Sequence, residues 1–303
     1  MENTGDLIPA GPFEARYLAF LETIAQLRPP LHRYCARMAG SAMDGEDVVQ
    51  EALFEAYRKL DKFDESRPLK PWLFRIAHNR CIDFLRRRGA RDEAETIASV
   101  PEMVLPTDPS TLGIGRALEH LVLTLPPKER ACVLLKDVFD YSLDEIAHLV
   151  DSTVGGVKAA LNRARAKLAS SSSQPEPPRA ANQELRRVLQ LYVERFNRRD
   201  WEGVRELISA DAQLRVVDAF AGKLVDSPYF SNYARWTASW KFAVGEVDGE
   251  TAVVVLQRGV DTWTPYSFVR FNATDGRIDR IVDYSHCPWI APHAESVVTA
   301  RMD

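Results

Sequence analysis

Residues 170–181 read SSSSQPEPPRAA, a Ser/Pro-rich tract with no apolar period, and this tract splits the chain into two parts that cannot share one folding pattern. Before it, apolar residues recur at helical spacing with no strand alternation. After it, a short helical opening gives way to β-branched and aromatic runs. A second polar stretch, residues 89–112 (GARDEAETIASVPEMVLPTDPSTL), carries three prolines and interrupts the first part. The pattern predicts three units: all-α over 10–90, all-α over 113–169, and α+β over 182–292, joined by linkers at 91–112 and 170–181. A length of 303 residues suits two or three domains. As a coil of about 12 residues, the second linker spans on the order of 20 Å, so the third unit can reach either of the others.

Charge is distributed unevenly. Residues 70–91 (KPWLFRIAHNRCIDFLRRRGAR) hold seven basic residues and one acid, in a chain whose net charge is −4. Aromatic and apolar residues (Trp72, Phe74, Ile76, Phe84) are interleaved with the cations. Cations for phosphates and π-faces for bases are what a single-stranded nucleic acid requires, although a solvated basic helix face would read similarly. Just upstream, residues 44–65 carry eight acids and three basic residues. Within them Val49, Ala52, Leu53, Ala56 and Leu60 form one apolar stripe, and Asp47, Gln50, Glu51 and Glu55 lie off it. An acidic face repels DNA, so the two neighbouring helices address different partners, unless the acidic one simply faces water.

In the second unit, Leu125-Pro126-Pro127 opens a helix. SLDEIAHL (142–149), a short turn, and TVGGVKAALNRARAKL (153–168) follow. In the last segment Val154, Val157, Leu161, Ala164 and Leu168 make a buried stripe, and Lys158, Asn162 and Arg165 fall on another side, joined by Arg163. A short helix, a tight turn and a basic second helix are the parts of a DNA-reading helix-turn-helix. Ser152 is expected as N-cap, Thr153, Lys158 and Asn162 toward base edges, and Arg163, Arg165 and Lys167 toward phosphates.

Four dispersed cysteines and unclustered histidines give no metal-ligand spacing and no disulfide framework, so no metal and no cofactor are expected. No run approaches the length of a membrane span and the first residues lack a signal-peptide pattern, which makes a cytoplasmic protein without membrane contact the expectation.

The segments DGEDVVQEALFEAYRKLDKF, PWLFRIAHNRCIDFLRRR, LPPKERACVLL and YSLDEIAHLVDSTVGGVKAALNRARAKL, in that order over about residues 13–169, resemble an extracytoplasmic-function (ECF) sigma factor of the sigma-70 class. The resemblance implies a transcription initiation factor that takes core RNA polymerase to promoter DNA. Its first domain (10–90) would bind the polymerase clamp through Asp47, Gln50, Glu51 and Leu53. The 61–70 loop with Arg75, Asn79, Arg80, Arg86 and Arg87 would melt the promoter and hold the non-template strand. The second domain would read an upstream element through Ser152, Thr153, Lys158, Asn162, Arg163 and Arg165. Ala159-Ala160 stand where the family commonly has Ser-Arg, and Gly156 where Thr is common, which implies a weaker phosphate grip.

The third unit resembles a SnoaL-like, ketosteroid-isomerase-type cone of helices on a curved sheet. The resemblance rests on the helix 184–198, the Asn197–Trp201 turn, and Ala210-Asp211-Ala212 placed before a strand. Such extensions imply control in cis on the sigma domains. Asp218, Trp263, Tyr284 and His286 are its candidate pocket residues, with a small ligand as candidate partner. A cyclase or isomerase would need a general base and an oxyanion donor there, for which Asp218, Asp283, Tyr284 and His286 are the candidates. The expectation is a non-enzymatic domain, with Trp236, Trp240, Trp263, Phe268 and Trp289 filling a core. The alternative for the whole chain is a ligand-sensing regulator that binds DNA without polymerase.

Overall fold

The computed structural model describes residues 12–64, 66–96, 122–170, 183–237, 239–260, 262–294 and 296–299. Both predicted linkers fall largely or wholly outside them.

The first unit is built from α1 (Pro12–Ala39), α2 (Ala42–Lys59) and α3 (Leu69–Thr96). Helix α3 runs to residue 96, past the boundary expected at 90, because nothing in Gly89-Ala90-Arg91 stops a helix without proline. Ser41 caps α2 by accepting from the Asp44 amide at 3.3 Å. Helices α1 and α2 are in close contact at Gly45, where a Cβ would lie 2.5 Å from the Ala36 backbone.

The second unit comprises α4 (Pro127–Val133), continued by a π-helical turn over Leu134–Val138, then α5 (Leu143–Leu149) and α6 (Val154–Ser170). A reciprocal capping box starts α5: Ser142 Oγ accepts from the Glu145 amide and Glu145 accepts from the Ser142 amide. Among the described residues, the two helical units share one apolar core. Tyr34, Met38, Val49, Leu73 and Phe74 are continuous in it with Cys132, Leu134, Ile146, Val157 and Leu161.

The third unit opens with α7 (Gln183–Asn197) and α8 (Trp201–Glu206), the latter capped by Asp200. Strands β1 (Ile208–Val216) and β2 (Phe220–Lys223), helix α9 (Tyr229–Arg235), and β3 (Trp240–Val247), β4 (Glu250–Arg258), β5 (Trp263–Thr274), β6 (Arg277–Asp283) and β7 (Val297–Thr299) follow. The sheet order is β2-β1-β6-β5-β4-β3-β7, with only β1 and β6 parallel. Asp248-Gly249 and Asp275-Gly276 take positive φ at both residues and make tight hairpin turns. Two expectations need correction. Ala210-Asp211-Ala212 lies inside β1, and the domain continues past residue 292 to β7, which pairs with β3.

Both faces of this sheet are covered. Val253, Val255, Val269 and Phe271 face the helices α7–α9, whereas Ala252, Val254, Leu256 and Phe268 face the other way. That second layer is covered by the segment after β6 (Tyr284, Cys287, Ile290, Ala294) together with Ala42 and Met43 from the start of α2. Burying Met43 there contributes about 1.5–3 kcal/mol. The run Ala252-Val253-Val254-Val255-Leu256 carried the signal, since a strand apolar on both faces is one buried on both.

Gly45→Ala should force α1 and α2 apart and cost about 1–3 kcal/mol, read as a lower urea midpoint for loss of helical circular dichroism.

Candidate polymerase and promoter interfaces

Helix α2 buries Val48, Val49, Ala52 and Ala56 against its own unit and carries Asp47, Glu51 and Glu55 off that stripe, as its spacing predicts, whereas Glu46 is fully buried. The first half of that acidic face is not open to solvent. Asp47 accepts from Arg215 of β1, from Arg270 of β5 (3.4 Å) and from the Tyr284 hydroxyl (3.3 Å). Asp44 accepts from Arg270 at 2.7 Å and lies 3.6 Å from Arg88 of α3. Glu250 adds a third carboxylate to Arg270 at 2.9 Å. Gln50 donates to Asp218 at 3.3 Å. Arg215 and Arg270 both register with Val282 on β6, so they form one row across three neighbouring strands. Burial raises the Asp47 carboxyl above its ordinary range, and the facing Arg270 and Arg215 guanidiniums oppose that rise.

A second contact runs along the segment after β6. Arg28 of α1 bridges Glu46 (2.5 Å) and Asp218 (2.6 Å) and lies 4.8 Å from the Trp289 ring centre. Trp289 donates to Glu46 at 2.8 Å. The ligand atoms of Glu46, Asp218 and Cys287 fall within 4.8 Å of one another, but the Arg28 guanidinium joins the two carboxylates, which makes this a salt bridge. Asp248 accepts from the Ala42 amide at 2.7 Å, placing a second acceptor on the first turn of α2. His32 and His293 face each other through their Nδ1 atoms at 3.2 Å, and the other His32 nitrogen meets the Ala42 carbonyl at 2.8 Å. Burial lowers His32 to about 4, so it is neutral at pH 7.

The second half of α2 stays open. Glu51 is exposed and meets Arg87 at 3.2 Å, and Phe54 and Tyr57 are 65% and 46% exposed. Leu53 is half-buried against the shared core.

Helix α3 holds its predicted cations next to acids. Arg80 pairs with Glu55 (2.5 Å) and Asp83 (3.7 Å), Arg86 with Asp83 (3.7 Å), and Arg88 also donates to the Ala39 carbonyl. Arg75 and Asn79 are exposed on the same helix. In the 61–70 loop, Phe63 stacks near Trp72 at 4.7 Å between centres. The excess positive charge is therefore partly answered by α2, which sequence distance alone did not reveal.

In the helix-turn-helix, the cap is corrected from Ser152 to Thr153, whose Oγ1 accepts from the Gly156 amide at 3.0 Å. Val157, Ala160, Leu161 and Ala164 are buried, leaving Lys158, Ala159, Asn162 and Arg165 exposed on one side. Arg163 and Lys167 both bond Glu129 at 2.8 Å, and Arg165 meets Asp137 at 2.9 Å. These cations are held in place at the surface with their outer sides open.

The expected pocket of Asp218, Trp263, Tyr284 and His286 is not assembled. Side chains alternate along a strand, so Asp283 points into the helix side and Tyr284 points at α2. Asp218 faces Arg28, Trp263 packs with the outer layer beneath Lys241, and His286 is exposed. Trp236 and Trp240 fill the helix-side core, whereas Phe268, Trp263 and Trp289 belong to the layer facing the first unit. Asp283 is fully buried and accepts from Tyr229 (2.8 Å) and Tyr233 (2.7 Å) amid closely packed rings.

One polypeptide thus carries an acidic helix, a basic helix and a helix-turn-helix. Residues 23–91 match the model for sigma-70 region 2, and residues 115–168 match that for sigma-70 region 4. The chain is 33% identical to the ECF RNA polymerase sigma factor SigW of Bacillus subtilis, over 50% of this chain and 87% of that protein. It is 34% identical to the ECF RNA polymerase sigma-E factor of Escherichia coli, over 40% and 70%. The chain belongs to the ECF family of RNA polymerase sigma factors. Similar solved structures include the Mycobacterium tuberculosis extracytoplasmic function sigma factor SigJ, with 18% identity, a TM-score of 0.36, and coverage of 87% of this chain and 95% of that one. A putative polyketide cyclase from Xanthomonas campestris shows 18% identity and a TM-score of 0.27, over 38% of this chain and 99% of that one. Among the described residues no helix is long and apolar enough to cross a membrane.

A buried neutral histidine whose folded pKa lies below its unfolded value contributes stability fully above about pH 6.5. That contribution is lost as pH falls through about 4. The thermal midpoint difference between wild type and His32→Gln should therefore hold steady from pH 8 to 6.5 and shrink steadily below, as scanning calorimetry would record.

Proposed function

We propose that the C-terminal domain holds this sigma factor closed in cis by occupying the polymerase-docking face of α2. The observation that carries the reading is the cluster in which Asp44, Asp47 and Gln50 are taken by Arg270, Arg215, Tyr284 and Asp218. A basic surface on core RNA polymerase would need the same carboxylates. The two modes are mutually exclusive at Asp47, because a carboxylate already bonded to two guanidiniums and a phenol has little acceptor capacity left. The polymerase contacts assigned are Asp47, Gln50, Glu51 and Leu53, with Glu51 and its neighbours Phe54 and Tyr57 open for a first encounter.

Once the cone lifts, Arg75, Asn79, Arg80, Arg86 and Arg87 hold the melted non-template strand. Lys158 and Asn162 face base edges, with Arg163 and Arg165 on phosphates and Ser152 and Thr153 fixing the helix entry. The tether at 170–181 keeps the cone at high local concentration, so closure is intramolecular. Core polymerase and promoter DNA are the partners, which puts the site of action in the cytoplasm.

Arg270→Glu sets a carboxylate against Asp44 and Asp47 and should release the cone. Removing about 1.4 kcal/mol from the closed state raises apparent affinity for core polymerase roughly tenfold. Fluorescence anisotropy with purified core enzyme measures it, and promoter-directed transcript yield should rise with it. Unchanged affinity in Arg270→Glu would sink control at this face, and no promoter-specific transcript from either chain would sink the polymerase reading itself. Proteolytic cleavage within 170–181 should raise transcription in the same assay by freeing the cone to diffuse away.

A further inference from the structure

Helix α6 has no cation across its middle. Between Lys158 and Arg163 stand Ala159, Ala160, Leu161 and Asn162, and Ala160 is fully buried. Positive charge gathers instead in the second half of the helix, at Arg163, Arg165 and Lys167. Arg163 and Lys167 are four residues apart and so share one face. One acid from another helix meets both. Glu129, in the first turn of α4, accepts from Arg163 Nε through Oε1 and from Lys167 Nζ through Oε2, each at 2.8 Å. The hydrogen bonds from Lys167 and Arg163 hold the Glu129 carboxyl below its ordinary range.

Exposure separates the holder from the held. Glu129 is 6% exposed, whereas the Arg163 and Lys167 side chains are 57% and 49% exposed. The carboxylate is covered and the cations reach solvent, unlike a surface ion pair with both partners wet and loosely placed. Asp137, in the π-helical turn that continues α4, makes a pair of that looser kind: it is 28% exposed and meets Arg165 at 2.9 Å. A long basic side chain loses rotamer freedom when it grips a phosphate, and one already fixed by a carboxylate has lost that freedom beforehand.

We propose that Glu129 is a positioning residue for promoter reading: it presets Arg163 and Lys167 as a two-point phosphate clamp and so fixes the register in which Lys158 and Asn162 meet base edges. The inference rests on the phosphate role given to Arg163 above and extends it to Lys167. The preset clamp offsets the weaker grip expected from Ala159-Ala160. By charge alone an acid at this surface repels DNA. Positioning and simple neutralisation therefore predict opposite signs when the carboxylate is removed.

The test uses holoenzyme reconstituted from the full chain and core polymerase. Fluorescence anisotropy follows a labelled duplex of a promoter that this holoenzyme transcribes, and the same duplex with its upstream element scrambled, over a series of salt concentrations. Glu129→Gln should weaken promoter binding about tenfold and make its log–log salt slope shallower by about one, while binding to the scrambled duplex is unchanged or tighter. Asp137→Asn should change promoter binding less than about threefold. Glu129→Asp keeps the charge but is too short to span both cations, so it should share the loss. In an Arg163→Gln/Lys167→Gln background, neither change at Glu129 should weaken binding further. Unchanged or tighter promoter binding by Glu129→Gln overturns the proposal, as does a loss that persists undiminished in that background. If Glu129→Gln melts below the assay temperature by circular dichroism, Glu129→Asp decides in the same two comparisons. Wild-type holoenzyme that did not prefer the promoter to the scrambled duplex would sink the underlying function, and this inference with it, before any variant is compared.

Discussion

One carboxylate organises this molecule. Asp47 receives two guanidiniums from β1 and β5 and a phenol from Tyr284, just past β6, and Asp44 and Glu250 complete the charge balance around Arg270. A partly desolvated cluster of this kind adds little net stability against an apolar replacement, because desolvation offsets much of the Coulomb attraction. What it supplies here is register. The row Arg215–Val282–Arg270 can meet the acids of α2 in only one alignment, and the apolar contact of Met43 with the sheet then follows. Removing any one charge leaves its partners buried and unmatched, so the interface is both specific and easily upset by a competitor that offers the same chemistry.

The helical units were legible because their apolar positions recur at 3, 4 and 7 residues and their ends carry recognisable caps. The Ser142/Glu145 box and the Asp-Gly turns fix the start of α5 and two hairpins. The helix-turn-helix start slipped by one residue, since Ser152 and Thr153 are chemically equivalent as caps and only backbone geometry separates them. The cone's pocket failed for a different reason. Tyr284, Asp218 and Trp263 have the composition of a site, but strand parity sends Tyr284 to the opposite face from Asp283. Arg215 and Arg270 were invisible as contact residues because an arginine on the outer face of a strand looks like any solvated side chain. The double-sided apolar pattern of β4 was the available clue that something covers that face.

Two kinds of surface are closed by two kinds of chemistry. The cone meets α2 mainly with ion pairs and a thin apolar layer, whereas the second helical unit meets α1 and α3 with edge-on and tilted rings and an arginine on the Met38 carbonyl of α1. The first should respond to ionic strength and to a charged competitor. The second is largely indifferent to salt and yields to a competing apolar or base-stacking surface.

The tip of the β3–β4 hairpin adds one more consequence. Asp248 takes the Ala42 amide while its other oxygen holds the Ser296 amide, so a loop of the cone serves as part of the end-structure of α2. When the cone departs, the first turn of that helix keeps only Ser41 at its head, and an amide that was satisfied becomes open to any anionic or carbonyl group brought against it. Under the closure proposed above, opening would thus leave the Ala42 amide at the head of α2 unsatisfied, a donor exposed to whatever oxygen next approaches that turn.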